Sequence, residues 1–157
     1  MTTGDELRAL MRRAPTSVAV VTVDTGREKL GLTVSSLVSL SLDPPLVGVS
    51  IAQEAAMHEL LREAGGFAAS LLAGGQEWLG QHFARGVPPI GMWHGIETEE
   101  GARGTPLLAG ALGSVECRLV SEHAVGDHTL FVGEVESVRL GASAPPLVYH
   151  LGGYRAL

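Results

Sequence analysis

Apolar and polar positions along this chain change their period several times, and each change marks an element. Leu7, Leu10 and Met11 stand at helical spacing, so a helix is predicted over residues 5–13, ended by Pro15. The β-branched run Val18-Ala19-Val20-Val21-Thr22-Val23 reads as a strand over 17–23 that turns at Asp24-Thr25-Gly26. A second strand is expected over 30–36 and a third over 46–51, separated by the Pro44-Pro45 break. Met57, Leu60 and Leu61 predict a helix over 55–63, closed at Gly65-Gly66, because glycine accepts the left-handed cap geometry. A fourth strand over 67–72 and a helix over 76–85 follow, then a Gly- and Pro-rich excursion over 86–105 of the length that often carries function. Long strands over 113–121 and 128–140 meet at Ala124-Val125-Gly126-Asp127, and a short strand is expected over 145–150. Hairpins predominate and β-α-β alternation is missing, which predicts a closed or partly closed antiparallel barrel and argues against a doubly wound parallel sheet.

Within this pattern, residues 31–45 stand out. Thr33, Ser35, Ser39 and Ser41 fall at alternate positions, with Ser36 beside them. Alternate side chains of an extended segment share a face, so these residues form a row of short hydroxyls, each able to donate and to accept. Such a row suits a polar, oxygen-rich ligand and equally suits the solvated edge of a strand.

Composition narrows the class. The 157 residues form one domain, 1–157, or one subunit of an assembly, and 45% hydrophobic with 18% charged residues is globular. A net charge of −6 without a basic stripe argues against nucleic-acid binding. No apolar run approaches the ~20 residues that span a bilayer, and the charged N-terminus is not a secretory signal. Cys117 is the single cysteine, which excludes an intrachain disulfide and fits a reducing compartment, so a cytoplasmic protein is expected. The mean hydropathy of +0.23 points to an oligomer that hides surplus apolar surface.

Standard signatures of phosphate loops, zinc sites and nucleophile elbows are missing, and the six histidines are scattered, so no metal site is expected. An enzyme of this composition would draw its chemistry from an organic cofactor. His128 in Gly126-Asp127-His128 reads from spacing as a turn residue, or as an imidazole at a barrel rim. Tyr149 and Tyr154 around Gly152-Gly153 read as edge packing, or as a wall for a flat ring. Cys117, between Val115 and Leu119, reads as buried, and Trp78 and Trp93 read as packing residues, with Trp93 equally able to edge a pocket.

Taken in order, these segments resemble the flavin reductase family of the flavin-binding split barrel, which includes the reductase components of two-component flavin monooxygenases. The resemblance runs from Met11 through the 31–45 loop, Phe67-Ala68-Ala69-Ser70-Leu71-Leu72, residues 79–84, Gly104-Thr105-Pro106-Leu107-Leu108, Glu116-Cys117 and Gly126-Asp127-His128 to Tyr149 and Tyr154. It implies a mainly β, six-stranded antiparallel Greek-key split barrel with short flanking helices, working as a homodimer. By the same resemblance, Thr33, Val34, Ser35, Ser36 and Ser39 border FMN or FAD, Ser50, Ile51 and Ala52 flank the same pocket, His128 meets the nicotinamide of NADH or NADPH, and Tyr154 closes the cleft.

The implied activity is NAD(P)H:flavin oxidoreduction, with reduced flavin passed to a partner monooxygenase. Two alternatives stay open: a flavin-binding dimer with little or no turnover, and a reductase of another small acceptor that keeps its flavin tightly bound. The chain departs from the family at Gln53-Glu54-Ala55-Ala56-Met57, which lacks the usual phosphate-side cation, at Ser70 in place of Asn, and at His82 in place of Arg. A lost charge-assisted contact is worth roughly 1.5–3 kcal/mol, so flavin is expected to bind about tenfold more weakly or worse and to act partly as a diffusible substrate.

Overall fold

A computed structural model of the chain describes residues 1–85 and 89–157. Residues 86–88, at the start of the predicted excursion, lie outside the described part. The elements are α1 (Thr3–Met11), β1 (Thr16–Ser17), β2 (Ala19–Asp24), β3 (Lys29–Val34), β4 (Val38–Leu42), β5 (Pro45–Ala52), α2 (Ala56–Ala64), β6 (Gly66–Leu71), α3 (Glu77–Ala84), α4 (Pro89–Met92), β7 (Thr98–Glu100), β8 (Pro106–Leu108), β9 (Gly113–Val125), β10 (His128–Leu140), β11 (Leu147–His150) and β12 (Gly153–Ala156).

The architecture is mainly β with short helices, as the turn-rich sequence predicts. One antiparallel sheet, ordered β3-β2-β6-β9-β10-β5-β4, holds seven strands where six were expected, and its end strands do not pair. The added strand is β4. The Ser36 hydroxyl accepts from Ser50 N at 3.0 Å and donates to Ser50 O at 3.1 Å, fixing the bend after β3 against β5. The chain then folds back on β5 through a hairpin with a cis Asp43–Pro44 bond. Thr33 and Ser39 therefore lie on different strands, and a further register shift falls between Ser39 and Ser41. The hydroxyl row is not one continuous face.

The core lies between the inner face of this sheet and α2 and α3. Val20, Val21, Ile51, Phe67 and Phe131 are fully enclosed, with Leu61 of α2 and Phe83 of α3 packed on them. Burying side chains of this size is worth about 1.5–3 kcal/mol each, which anchors both helices. Gly65 ends α2 with φ 69°, the left-handed cap expected there. The β9–β10 turn is tighter than predicted: Val125 pairs with His128, leaving Gly126-Asp127 as a two-residue loop with Gly126 at φ 60°. The long pairing of β10 with β5 carries His128 opposite Ala52, which delivers the imidazole to the end of β5. In the excursion, α4 sends Met92 into the core, and β7 pairs with β8. A smaller sheet, β1-β11-β12, sets Tyr149 opposite Tyr154 and Thr16 opposite Tyr149.

Candidate functional site

A cleft of about 350 Å³ opens where the end of β3 approaches the end of β5. β3 and the bend after it contribute Leu32, Thr33, Val34, Ser35 and Ser36. Ser50, Ile51 and Ala52 of β5, Ala55 before α2, and His128 at the head of β10 complete the lining. Thr33, Val34, Ser35, Ser36, Ser50, Ile51, Ala52 and His128 are thus brought together from three separated segments. Of the ten candidates, Ser39 and Tyr154 do not line this cleft: Ser39 stands on β4 opposite Val47, and Tyr154 lies in a neighbouring hollow.

That second hollow, about 200 Å³, shares Thr33, Val34 and Ser35 with the cleft and adds Val18, Ala84, Tyr149 and Tyr154. The two tyrosine rings are 5.3 Å apart and tilted by 60°. Burial raises the Tyr154 phenol above its ordinary pKa, and the neighbouring Tyr149 adds to the shift. The Tyr154 hydroxyl therefore stays protonated at neutral pH and presents a neutral phenol to the hollow.

Not every hydroxyl of the predicted row is free. Thr33 donates to Gly80 O in α3 at 2.7 Å, and Ser36 is committed to the Ser50 backbone. Among the described residues, the side chains of Ser35 and Ser50 make no such bond and are the hydroxyls left for a ligand. Thr33 and Ser36 act as wall ties: each removes one polar group from the cleft and fixes one rim.

His128 is held from two sides. Its Nδ1 lies 2.7 Å from Asp127 Oδ1. The imidazole hydrogen bond lowers the Asp127 carboxyl below its ordinary pKa. An ionised carboxylate only accepts, so Nδ1 carries the donated proton and Nε2 is left for a ligand. Gln53, which the sequence alone did not single out, clamps the same turn. Its N donates to Asp127 O at 3.0 Å, and its Nε2 donates to His128 O at 3.0 Å. Nothing local in the sequence signals this contact, because the partners are 75 residues apart.

Other candidates are structural. Trp93 donates from Nε1 to Lys29 O at 3.0 Å and packs at 5.3 Å from the Phe83 ring, outside the cleft. His82 lies 2.6 Å from Met92 O and edges Phe83. Cys117 is enclosed, and burial pushes its thiol up to about 12. Ser70 bonds Ser114 Oγ at 3.0 Å and accepts from Leu108 N at 3.1 Å, tying β6 to β9 and β8. Among the described residues, no cluster of His, Cys, Asp and Glu could hold a metal ion.

Residues 11–157 match the flavin reductase like domain family. The reductase component of 4-hydroxyphenylacetate 3-monooxygenase from Thermus thermophilus is 40% identical over 98% of this chain and 96% of its own. The NADH-dependent FMN reductase AsuE2 of Streptomyces nodosus subsp. asukaensis is 42% identical over 97% of this chain and 84% of its own. Among solved structures, the NADH:FAD oxidoreductase SgcE6 of Streptomyces globisporus, in complex with NAD and FAD fragments, superposes with a TM-score of 0.92 at 35% identity, covering 99% of this chain and 93% of that one.

Proposed function

The chain belongs to the flavin reductase family, and we propose on that premise that it is an NADH-dependent flavin reductase acting on FMN or FAD. The observation that carries this reading is the cleft itself. Small side chains from β3 and β5, two unspent hydroxyls and a fixed imidazole converge on a hollow open to solvent, with an aromatic annex beside it. The fit to a flat, oxygen-edged ring system is chemical as well as spatial. Leu32, Val34, Ile51 and Ala52 offer apolar surface, and Ser35 and Ser50 offer donors and acceptors.

When bound, flavin supplies an acceptor at N5 for the hydride leaving C4 of the reduced nicotinamide, so no protein nucleophile is required. What the chain must do is hold the two rings face to face and keep bulk water from between them. Val34 and Ile51 form the floor, while Thr33 and Ser36 keep the rims rigid through their bonds to Gly80 and Ser50. His128 presents Nε2 at the entrance and acts as a positioning group for the nicotinamide side, and Tyr154 with Tyr149 walls the annex. Ser39, on β4 opposite Val47, lies outside the cleft lining and has no part in this reading.

The lining carries no Arg or Lys, so the flavin phosphate lacks a cationic partner within the cleft, and flavin exchanges as a diffusible substrate. Reduced flavin released in this way supplies a partner monooxygenase; the Thermus relative is named as the reductase component of a monooxygenase. The chain works as one domain and as a homodimer in the cytoplasm. The seven strands amount to a six-stranded Greek-key split barrel, β3 to β5, with β4 added at one lip and the split between β3 and β5. The shared lining and the Ser36–Ser50 ties across that split support this reading.

The test is oxidation of NADH by the purified protein with added FMN or FAD, followed at the nicotinamide absorbance. Rapid oxidation that depends on added flavin, with flavin lost on dialysis, is expected. Flavin binding without oxidation, or oxidation only with some other acceptor, would overturn the assignment. His128→Ala is expected to raise the KM for NADH while leaving flavin binding in place.

A further inference from the structure

Half of the ten arginines of this chain are committed to carboxylates. Arg27 pairs with Glu63, Arg62 with Glu59 and Glu122, Arg103 with Glu136, Arg118 with Glu134, and Arg139 with Glu99. Arg8 of α1 and Arg12, which caps that helix, pair with no carboxylate among the described residues. Both line a third hollow of about 280 Å³, together with Met11, Thr16, Ser35 and Tyr149. Ser35 borders all three hollows, and Tyr149 joins this one to the tyrosine annex. The Thr16 hydroxyl is a buried polar atom left without a hydrogen-bond partner. A groove therefore runs from the cleft, past aromatic rings, to two guanidinium groups that pair with no carboxylate.

We propose that the Arg8–Arg12 hollow binds the pyrophosphate of the hydride-donating dinucleotide. The inference rests on the reductase reading above. A planar fork of N–H donors suits phosphate oxygens better than any other side chain. It matters more here than on a neutral protein, because a net charge of −6 opposes the approach of an anion. The order of the hollows selects the donor over the flavin. A flavin seated between β3 and β5 meets the arginine hollow only at Ser35, whereas the tyrosine annex shares both Ser35 and Tyr149 with it. A dinucleotide whose nicotinamide lies over the flavin in the cleft leads its pyrophosphate past that annex toward the arginines. Arg12 also donates from Nη2 to Leu151 O at 3.4 Å, steadying the turn before β12. Arg8 is the cleaner position to substitute, since α1 buries no residue and its loss threatens no packing.

The experiment is calorimetric titration of the full chain with ADP-ribose, which carries the pyrophosphate and no nicotinamide, alongside steady-state kinetics. Arg8→Gln is expected to weaken ADP-ribose about tenfold or more and to raise the KM for NADH by a similar factor. Unchanged kcat, KM for FMN and melting temperature should accompany that loss. Arg8→Lys should recover part of it, and added salt should weaken ADP-ribose more for the parent chain than for Arg8→Gln. Equal ADP-ribose affinity in the parent and Arg8→Gln would overturn the proposal. So would a rise in the KM for FMN, absent for riboflavin, with that for NADH unmoved, because the hollow would then serve the flavin phosphate. ADP-ribose binding that depends on Arg8 in a chain that oxidises no NADH would keep the site and remove the reductase reading.

Discussion

Asp127 and His128 show how a surface turn comes to edge the candidate cleft. The carboxylate orients the imidazole, and in return the imidazole lowers the Asp127 pKa. A depressed carboxylate contributes stability that is present above its unfolded pKa and is lost as pH falls through its folded one. Replacing Asp127 with Asn should therefore lower the melting temperature slightly at neutral pH, with the difference shrinking as pH falls below the ordinary carboxylate range. Thermal melts of both chains across pH check this, and a difference that grows with acid would contradict it. In the same variant the imidazole loses its orienting charge, so the KM for NADH should rise more than kcat falls. Cys117 sits at the other extreme of exposure. Its thiol, pushed up to about 12 by burial, stays protonated and out of reach. Iodoacetamide at about pH 8 should leave the native chain unmodified and label it once it is denatured, read by intact mass.

Elements explain what could and could not be read from the sequence. β2, β6, α2 and the β9–β10 hairpin were legible because a single local signal defines each: a β-branched run, a helical apolar face, or Gly126 at a turn. β4 and β12 were not, because their pairing depends on contacts remote in sequence or on an unusual residue. Ser36 bends the chain by bonding Ser50, and Leu151 takes φ 52° at the β11–β12 turn, a conformation that leucine does not advertise. The site divides the same way. That residues 33–36, 50–52 and 128 line one cleft was readable in part from hydroxyl content and chiefly by resemblance. Gln53, and the diversion of Thr33 and Ser36 to structural bonds, became visible only in three dimensions. Glu116 belongs with these hidden roles. Its side chain, 2% exposed, accepts from Ala102 N at 2.9 Å and Arg103 N at 3.0 Å, holding the β7–β8 loop against β9. Glu116→Ala strands two backbone donors, each bond to a charged acceptor being worth about 1.5–3 kcal/mol. Denaturant unfolding should show a loss of roughly 3 kcal/mol or more, since the two bonds share one carboxylate. A loss below about 1 kcal/mol would mean that water replaces the carboxylate.

At the scale of the whole molecule, the seven-stranded sheet ends on a strand unlike the protected edges of monomeric proteins. β4 reads Val38-Ser39-Leu40-Ser41-Leu42, without charge or proline, and pairs only with β5. Val38, Leu40 and Leu42 are 45%, 47% and 86% exposed. Edge strands left open are blunted by lysine, proline or bulges, or they are covered. The shift between Ser39 and Ser41 is the one blunting device here, and it leaves the leucines outward. A second copy of the chain is the cover that suits an uncharged strip, and it also accounts for a positive mean hydropathy at this size. Leu42→Glu tests this with little risk to the fold, because that side chain is almost wholly exposed in the single chain. The parent should sediment as a dimer at micromolar concentration, with a melting temperature that rises with concentration. Leu42→Glu should sediment as a monomer whose melting temperature is independent of concentration. A parent chain that is monomeric at these concentrations would leave the strip without its cover and remove the dimer from the account.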